Sequence, residues 1–503
     1  MDSRNGTSLV ELYQSIRDAG TEIADRILLV KTLFIRTIEQ LRFLEKVWPC
    51  MQPMHQRNQM EVLGTLKRIL KKAKTKTEGL ITKCGAQQRV RVRRWKYVLV
   101  KPFVDSTIRE LSRWQKLYDP SWYLIMQVAS PMIDDELKRS DPTRSAEGVR
   151  VLTKASRIRS VLRPHLDSTT HVILPAERLN GAVISKVPYS SATTVCLPGK
   201  SELLVVDSIP CPPGTYVGDI SKDIRGLALK LKVVEPSSFG ILKCRGVVKT
   251  FTANRARLAS LELVFEPASS GQPCSLRSRL LSSPLAYSLT DRVQLAKQLA
   301  ASVSYMHTLQ FVHKNIRPEN LIGFENSDVA KLMAFHLIGF EQIRSANGHT
   351  FMRGDDAWEK NLYRHPERQG PFPEETYSID HDIYSLGVCL LEIGLWSSFV
   401  TYNADGGADS VGDALELSAG QAKRMRPRVL KEHLVALARR RLPSAMGDVY
   451  TEVVIECLTC LDDDDEDAQD EDMISDADDE TDGIAVGVRF HEQVLQKLSE
   501  ITV

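Results

Sequence analysis

Apolar residues recur in steps of three and four through Ile23, Ile27, Val30, Phe34, Ile38, Leu41, Leu44 and Trp48, the spacing of one helix face, until Pro49 and Pro53 interrupt it. The same period runs through Val62, Leu66, Ile69, Ala73, Thr77 and Leu80, and again through Val104, Ile108, Leu111, Trp114 and Leu117. With the shorter segment Leu9 to Ile16 this predicts four helices. Each has one apolar stripe that needs a partner, so an antiparallel bundle over residues 1–130 is expected. Residues 131–167 are rich in charge and read as a linker or brace, with one short helix around Val149 to Leu162.

The period then changes. Short β-type runs at Ala182 to Val187, Thr193 to Leu197, Leu203 to Ile209, Gly246 to Phe251 and Leu261 to Phe265 alternate with turn residues, which predicts a small antiparallel sheet within residues 168–268. Helical patterning returns for residues 269–503. Ser288, with Asp291 three positions on, is the expected cap of a helix through Val293, Leu299 and Met306. A final helix is expected over Val488 to Ile501. The fold class is therefore multidomain: an N-terminal all-α bundle, then a bilobal α+β domain.

Composition changes this picture little; charge distribution changes it more. Hydrophobic content of 43% and charged content of 26% are ordinary for a globular chain, and the net charge is +2. Yet the span from Lys67 to Lys101 holds thirteen basic residues against the single acid Glu78. Lys67, Arg68, Lys71, Lys72, Lys74, Lys76, Arg89, Arg91, Arg93, Arg94 and Lys96 are the expected contacts for an anionic lipid surface, at about 1 kcal/mol per basic residue. A solvated basic face is the competing reading, and nucleic acid ranks behind both. Asp462 to Asp482 is almost entirely acidic and is expected to be a solvated insertion that docks on the basic bundle.

No stretch approaches the 18 to 20 apolar residues of a membrane span, and the first residues lack a secretory-signal layout. A cytoplasmic chain, recruited to a membrane surface, is the expectation. The nine cysteines show no framework spacing, so reduced thiols are expected, the Cys457/Cys460 pair included.

The chemistry-bearing motif is Phe311-Val-His-Lys-Asn-Ile-Arg-Pro-Glu-Asn320. It resembles the catalytic loop of protein kinases, with His313, Arg317, Pro318 and Asn320 in place and Asn315 where the catalytic aspartate would stand. An amide cannot accept the substrate's proton, a loss of roughly 10²- to 10⁴-fold in rate. In Leu337-Ile-Gly-Phe-Glu341, Phe340 matches the Asp-Phe-Gly motif, Gly339 replaces the magnesium-holding aspartate and Glu341 replaces the glycine. Asp207 falls near the phosphate-pairing lysine. Arg178 to Ile184 contains one glycine where a glycine-rich loop would have three. Structural kinase positions remain at Pro318, Pro366, Glu367, Asp382 and Gly387.

Phe43 to Gln52, Trp114 to Trp122, Phe239 to Val247, His313 to Asn320 and His381 to Trp396 resemble a group of fungal proteins in which a helical bundle precedes a kinase-like domain. The layout is also similar to mixed-lineage kinase domain-like proteins and HeLo-type death effectors. This resemblance implies a pseudokinase that regulates a membrane-active or partner-binding four-helix bundle in signalling or regulated cell death, with self-association through the bundle. No cofactor is then expected. An atypical or weakly active ATP-dependent kinase, with magnesium on Asn320 and Glu341, is the first alternative, and a non-enzymatic scaffold the second.

Overall fold

The computed structural model describes residues 20–502, apart from 82–93, 140–144, 163–171, 198–202, 214–216, 253–256, 283–286, 326–331, 346–355, 374–376, 404–406, 461–478 and the single positions 129, 180 and 372. The chain forms two compact units, one through Ser160 and one from Val161.

In the first unit α1 (Gly20–Val47), α2 (Pro53–Ile81) and α3 (Arg94–Leu124) pack along their apolar stripes. Val30, Phe34, Phe43, Leu44, Val47, Val62, Leu66, Leu111, Trp114, Tyr118 and Trp122 are buried. Three of the four expected bundle helices are thus described; Leu9 to Ile16 lies outside the described residues. The stripe also carries a buried polar seam. The Gln115 amide donates to Gln40 Oε1 (2.6 Å) and Asp119 Oδ1 (2.9 Å), and Arg36 pairs with Asp119. One turn along, Gln59 donates to Ser121 Oγ (2.6 Å), which donates to Asn58 (2.6 Å).

Residues 131–167, expected as a linker or brace with one short helix around Val149 to Leu162, contribute two helices to this packing, α4 (Pro131–Lys138) and α5 (Ala146–Leu162). Buried Arg159 ties them together by donating to Asp134 (3.2 Å) and to the carbonyls of Met126 (2.6 Å) and Val128 (2.7 Å). A charge that finds this many acceptors is tolerated inside, which a simple count of charged residues does not reveal.

The second unit opens with a six-stranded sheet. β1 (Ile173–Leu174), β2 (Val183–Lys186), β3 (Thr193–Cys196), β4 (Leu203–Pro210), β5 (Cys244–Phe251) and β6 (Leu258–Phe265) stand in the order β1-β5-β6-β4-β3-β2. The expected strands are all there. The sheet is mixed rather than purely antiparallel, because β1 joins β5 in parallel. Helix α6 (Val217–Leu231) packs on β5.

The helical part opens with α7 (Leu276–Leu281) and centres on α8 (Leu289–Thr308) and α9 (Ile379–Leu395). Ser288 caps α8 by accepting the Asp291 N–H, as expected. α9 is buried along nearly its whole length against α10 (Pro427–Met446) and α11 (Asp448–Thr459). Gly387 allows the α9–α11 approach: a Cβ there would lie 2.8 Å from Cys457 Cβ. The last helix, α12, begins at Asp479, well before the expected Val488, and continues through a π-helical turn, His491–Gln496, to Glu500. The acidic insertion therefore ends inside a helix at residues 479–482. Residues 461–478 are not described. Every described cysteine is free.

Candidate functional site

Strand alternation places Asp207. Leu204 and Val206 face the apolar cluster of Val195, Val248 and Val264, so Val205 and Asp207 face the opposite side. There the fully buried Asp207 Oδ2 accepts the backbone N–H groups of Gly339 (3.0 Å) and Phe340 (2.6 Å), while Oδ1 has no partner. Burial pushes this carboxyl up to about 7, with Glu341 and Glu262 adding to the rise against the two N–H donors. Position 207 thus binds the Gly339–Phe340 turn.

The catalytic-loop segment is held from below by Asp382 at the start of α9. Its carboxylate accepts His313 N–H (2.7 Å), Lys314 N–H (2.8 Å) and the Tyr377 hydroxyl (3.0 Å), and lies 3.2 Å from His307 Nε2. Burial alone would raise this carboxyl; the contacts with His307 and His313 keep it below its usual value. Pro318 opens a short 3₁₀ turn that delivers Asn320.

Asn315, which the sequence pattern sets where a base would stand, is bonded within the fold. Its amide donates to Glu341 Oε1 (3.0 Å) and to the Gly339 carbonyl (3.2 Å), and its Oδ1 accepts from Arg317 (2.8 Å). Asn320 donates to the Asn315 carbonyl (2.7 Å), and its buried Oδ1 has no partner. Gly339 is left-handed at φ +89°, and a Cβ there would meet the Asn320 side chain at 2.3 to 2.6 Å. Asn315, Asn320, Gly339, Phe340, Glu341 and Asp207 are therefore brought into one cluster. Glu341 spends an oxygen on Asn315.

The covering loop differs from its expected place. Arg178 to Ile184 precedes and enters β2, whereas the hairpin between β2 and β3, in the place of a kinase's phosphate-covering loop, is Val187 to Ala192 and contains no glycine. It is fastened to the helical lobe: Ser275 Oγ donates to the Pro188 carbonyl (2.6 Å), and the Tyr189 ring packs edge-on against Tyr402 at 4.9 Å. Tyr189 itself has φ +54°.

Three features escaped sequence reasoning. α6 was visible in the spacing of Ile220, Ile224, Leu227 and Leu231; its Lys230 reaches the Leu309 carbonyl (2.6 Å), and burial lowers that amine to about 8. Arg277, fully buried, binds Glu319 (3.1 Å), Glu392 (2.6 Å) and Ser398 (2.7 Å); nothing in the local pattern marks it. His365, Glu367 and His381 bring potential ligand atoms within 4.8 Å of one another. However, His381 Nδ1 accepts the Ser378 N–H (2.9 Å), which leaves the proton on Nε2 and no lone pair for a metal. Glu367 lies 3.8 Å from Arg428, Pro366 starts a 3₁₀ turn, and Gly387 makes the close helix contact described above.

Of the basic cluster, Lys67, Arg68, Lys71 and Lys72 are exposed on α2, where Lys72 pairs with Glu110 (2.7 Å). Lys74 and Lys76 continue α2, and Arg94 and Lys96 open α3, but their side chains lie outside the description; Arg89, Arg91 and Arg93 lie outside the described residues. No helix among the described residues is long and apolar enough to cross a membrane.

A small β-rich lobe, a helical lobe and an Asp382-anchored loop between them define a protein-kinase-like domain. Residues 232–423 match the family model of the protein kinase domain. The chain is 30% identical over 100 residues to the mitogen-activated protein kinase kinase mkk2 of Aspergillus fumigatus and 33% identical over 101 residues to MAP kinase kinase MKK1/SSP32 of Saccharomyces cerevisiae. It is also 33% identical over 106 residues to a serine/threonine-protein kinase-like protein of Arabidopsis thaliana. Each alignment covers 20% of this chain; the chain spans only 18%, 17% and 27% of these relatives. The protein is multidomain, an all-helical N-terminal region followed by a kinase domain.

Proposed function

We propose that the kinase-like domain is a catalytically impaired pseudokinase that regulates the N-terminal helical region, which acts as a signalling effector at an anionic membrane surface or on a protein partner. The observation that carries this reading is the saturated bonding of Asn315. The group in the base position donates both amide protons within the fold, to Glu341 and Gly339, and accepts only from Arg317. It has no proton-accepting capacity in reach of a substrate hydroxyl. Asp207 in place of the phosphate-pairing lysine, and a glycine-free hairpin fastened at Ser275 and Tyr402, support the same reading for the nucleotide.

Thermal shift of the full chain with ATP and magnesium, alongside radiolabelled phosphate transfer, is the test. Absence of both a magnesium-dependent rise and incorporation is expected; incorporation that requires Asn320 would replace this reading with that of an atypical kinase. The second reading is favoured by one observation, the retained Asn320 with an unpartnered Oδ1.

For the effector half, leakage and flotation assays with the full chain on neutral and anionic vesicles separate a membrane role from a scaffold. Binding confined to anionic vesicles, weakened by Lys67→Glu/Lys71→Glu, is the expected result. The exposed cations on α2 support it. A cell-death output rests on the resemblance of layout alone.

A further inference from the structure

The two faces of the six-stranded sheet are closed differently. Val248 turns to the apolar cluster with Val195, Leu204 and Val264, so its neighbours Val247 and Lys249 turn to the other face, beneath α6. Lys249 stands in register with Leu261 of β6, and Val247 with Ile173 of β1. α6 covers this face incompletely and leaves a groove of about 300 Å³. Its floor is Ile224, Val247 and Leu261, all buried, and its rim carries Ile173, which is 44% exposed.

Around this floor stand Lys222 and Arg225 of α6 and Lys249 of β5, and no Asp or Glu lines the groove. None of the three cations has a hydrogen-bond or ion-pair partner among the described residues. Exposed cations alone are a solvated surface. Two further observations point to an occupant. Charge on α6 is sorted by flank: Gly218, Lys222 and Arg225 recur along the groove at helical spacing, whereas Asp219 and Asp223 fall on the next flank, where Asp223 acts on the charges of Lys230, Lys314 and Arg344. A cleft of one sign over an apolar floor focuses its field on whatever enters it. The groove is also small, at the lower end of the about 300–1,000 Å³ of ligand pockets, which is room for one large side chain rather than for a nucleotide.

We propose that this groove docks an acidic peptide of a protein partner, with one large apolar side chain seated on Ile224, Val247 and Leu261 and flanking carboxylates paired with Lys222, Arg225 and Lys249. The buried anchor supplies most of the affinity, and the rim charges supply selection and salt dependence. The groove shares no residue with the Asn315 cluster, so its occupancy does not rest on whether the domain transfers phosphate. An occupant bears on α6, whose Lys230 holds the Leu309 carbonyl just before the catalytic-loop segment.

The full chain and three sets of short synthetic peptides test this. The first set has Asp and Glu around a central Phe, Trp, Leu or Ile; the second has Ala at the centre; the third has every acid replaced by Asn or Gln. Lysine acetylation read by mass spectrometry locates binding, and fluorescence polarisation measures it. At about 50 mM salt, a peptide of the first set should slow acetylation of Lys222 and Lys249 several-fold. Its counterparts in the other two sets should bind at least about tenfold more weakly. Lys222→Glu/Lys249→Glu, which alters only unpartnered side chains, should weaken binding by about tenfold at an unchanged melting temperature. Gly218→Phe should do the same by filling the groove, because a Cβ there meets nothing within 4 Å. The charge variant decides the matter if Gly218→Phe does not fold. Absence of protection at Lys222 and Lys249 by every peptide of the first set up to about 1 mM overturns the proposal. So does protection confined to Lys67, Lys71 and Lys72 of α2, or equal protection by the central-Ala set, which would mark a bare anion site.

Discussion

Asn315 donates its side-chain amide to Glu341 at 3.0 Å, joining the loop before Pro318 to the residue that follows Phe340. The two departures from the kinase pattern are therefore a matched pair. Changing Asn315 to Asp replaces two satisfied N–H donors by a carboxylate facing another carboxylate and the Gly339 carbonyl. Asn315→Asp should gain no phosphate transfer and should lose about 1–3 kcal/mol of stability at pH 7. Adding Glu341→Gln supplies a donor and should recover much of that loss, which a double-mutant cycle by urea denaturation measures.

A carboxylate introduced at position 339 meets a steric barrier. Any side chain there starts 2.3 Å from Asn320 Cγ and must hold φ +89°. Gly339→Asp should cost on the order of 2 kcal/mol or more from strain and overlap. Asn320→Ala should return part of it, while radiolabel incorporation stays at background in both.

Asp207 makes stability depend on pH in an unusual direction. Its carboxyl is raised by burial from 3.8 to about 7, so between those values the folded state binds the extra proton. Its stabilisation is complete below about pH 4 and is lost as pH rises through 7. Asp207→Asn keeps an oxygen for the Gly339 and Phe340 N–H groups without the charge. The melting temperatures of wild type and variant should be close near pH 4, and the variant should be the more stable at pH 8, by up to a few kcal/mol. A difference that shrinks with rising pH would contradict this.

Arg277 neutralises Glu319 and Glu392 inside the fold. Arg277→Met leaves two buried carboxylates without their cation and should cost about 3–5 kcal/mol. The triple variant with Glu319→Gln and Glu392→Gln should recover most of it, which distinguishes stranded charge from lost packing in a calorimetric melt.

The order of elements was readable because one-sided helices and alternating strands need periodic apolar residues; the expected strands, the Ser288 cap and the first bundle faces follow that rule. Asp382 was readable because its backbone partners are set by motif spacing. The pairing of Asn315 with Glu341 was not, since the two meet only when separate loops fold together. Arg159 and Arg277 were missed for the same reason: a buried cation looks like a surface one until its acceptors, distant in sequence, come into place. The glycine-free hairpin was assigned one turn too early because Gly181 is the nearest glycine in the sequence.

The polar seam of the helical region has a consequence for exchange of its parts. Gln40, Gln115, Asp119 and Arg36 satisfy one another across α1 and α3, so a foreign helix of equal hydrophobicity would strand buried amides and a carboxylate. The seam thus works as a lock and key between α1 and α3, admitting one register of the two helices and penalising every slipped one.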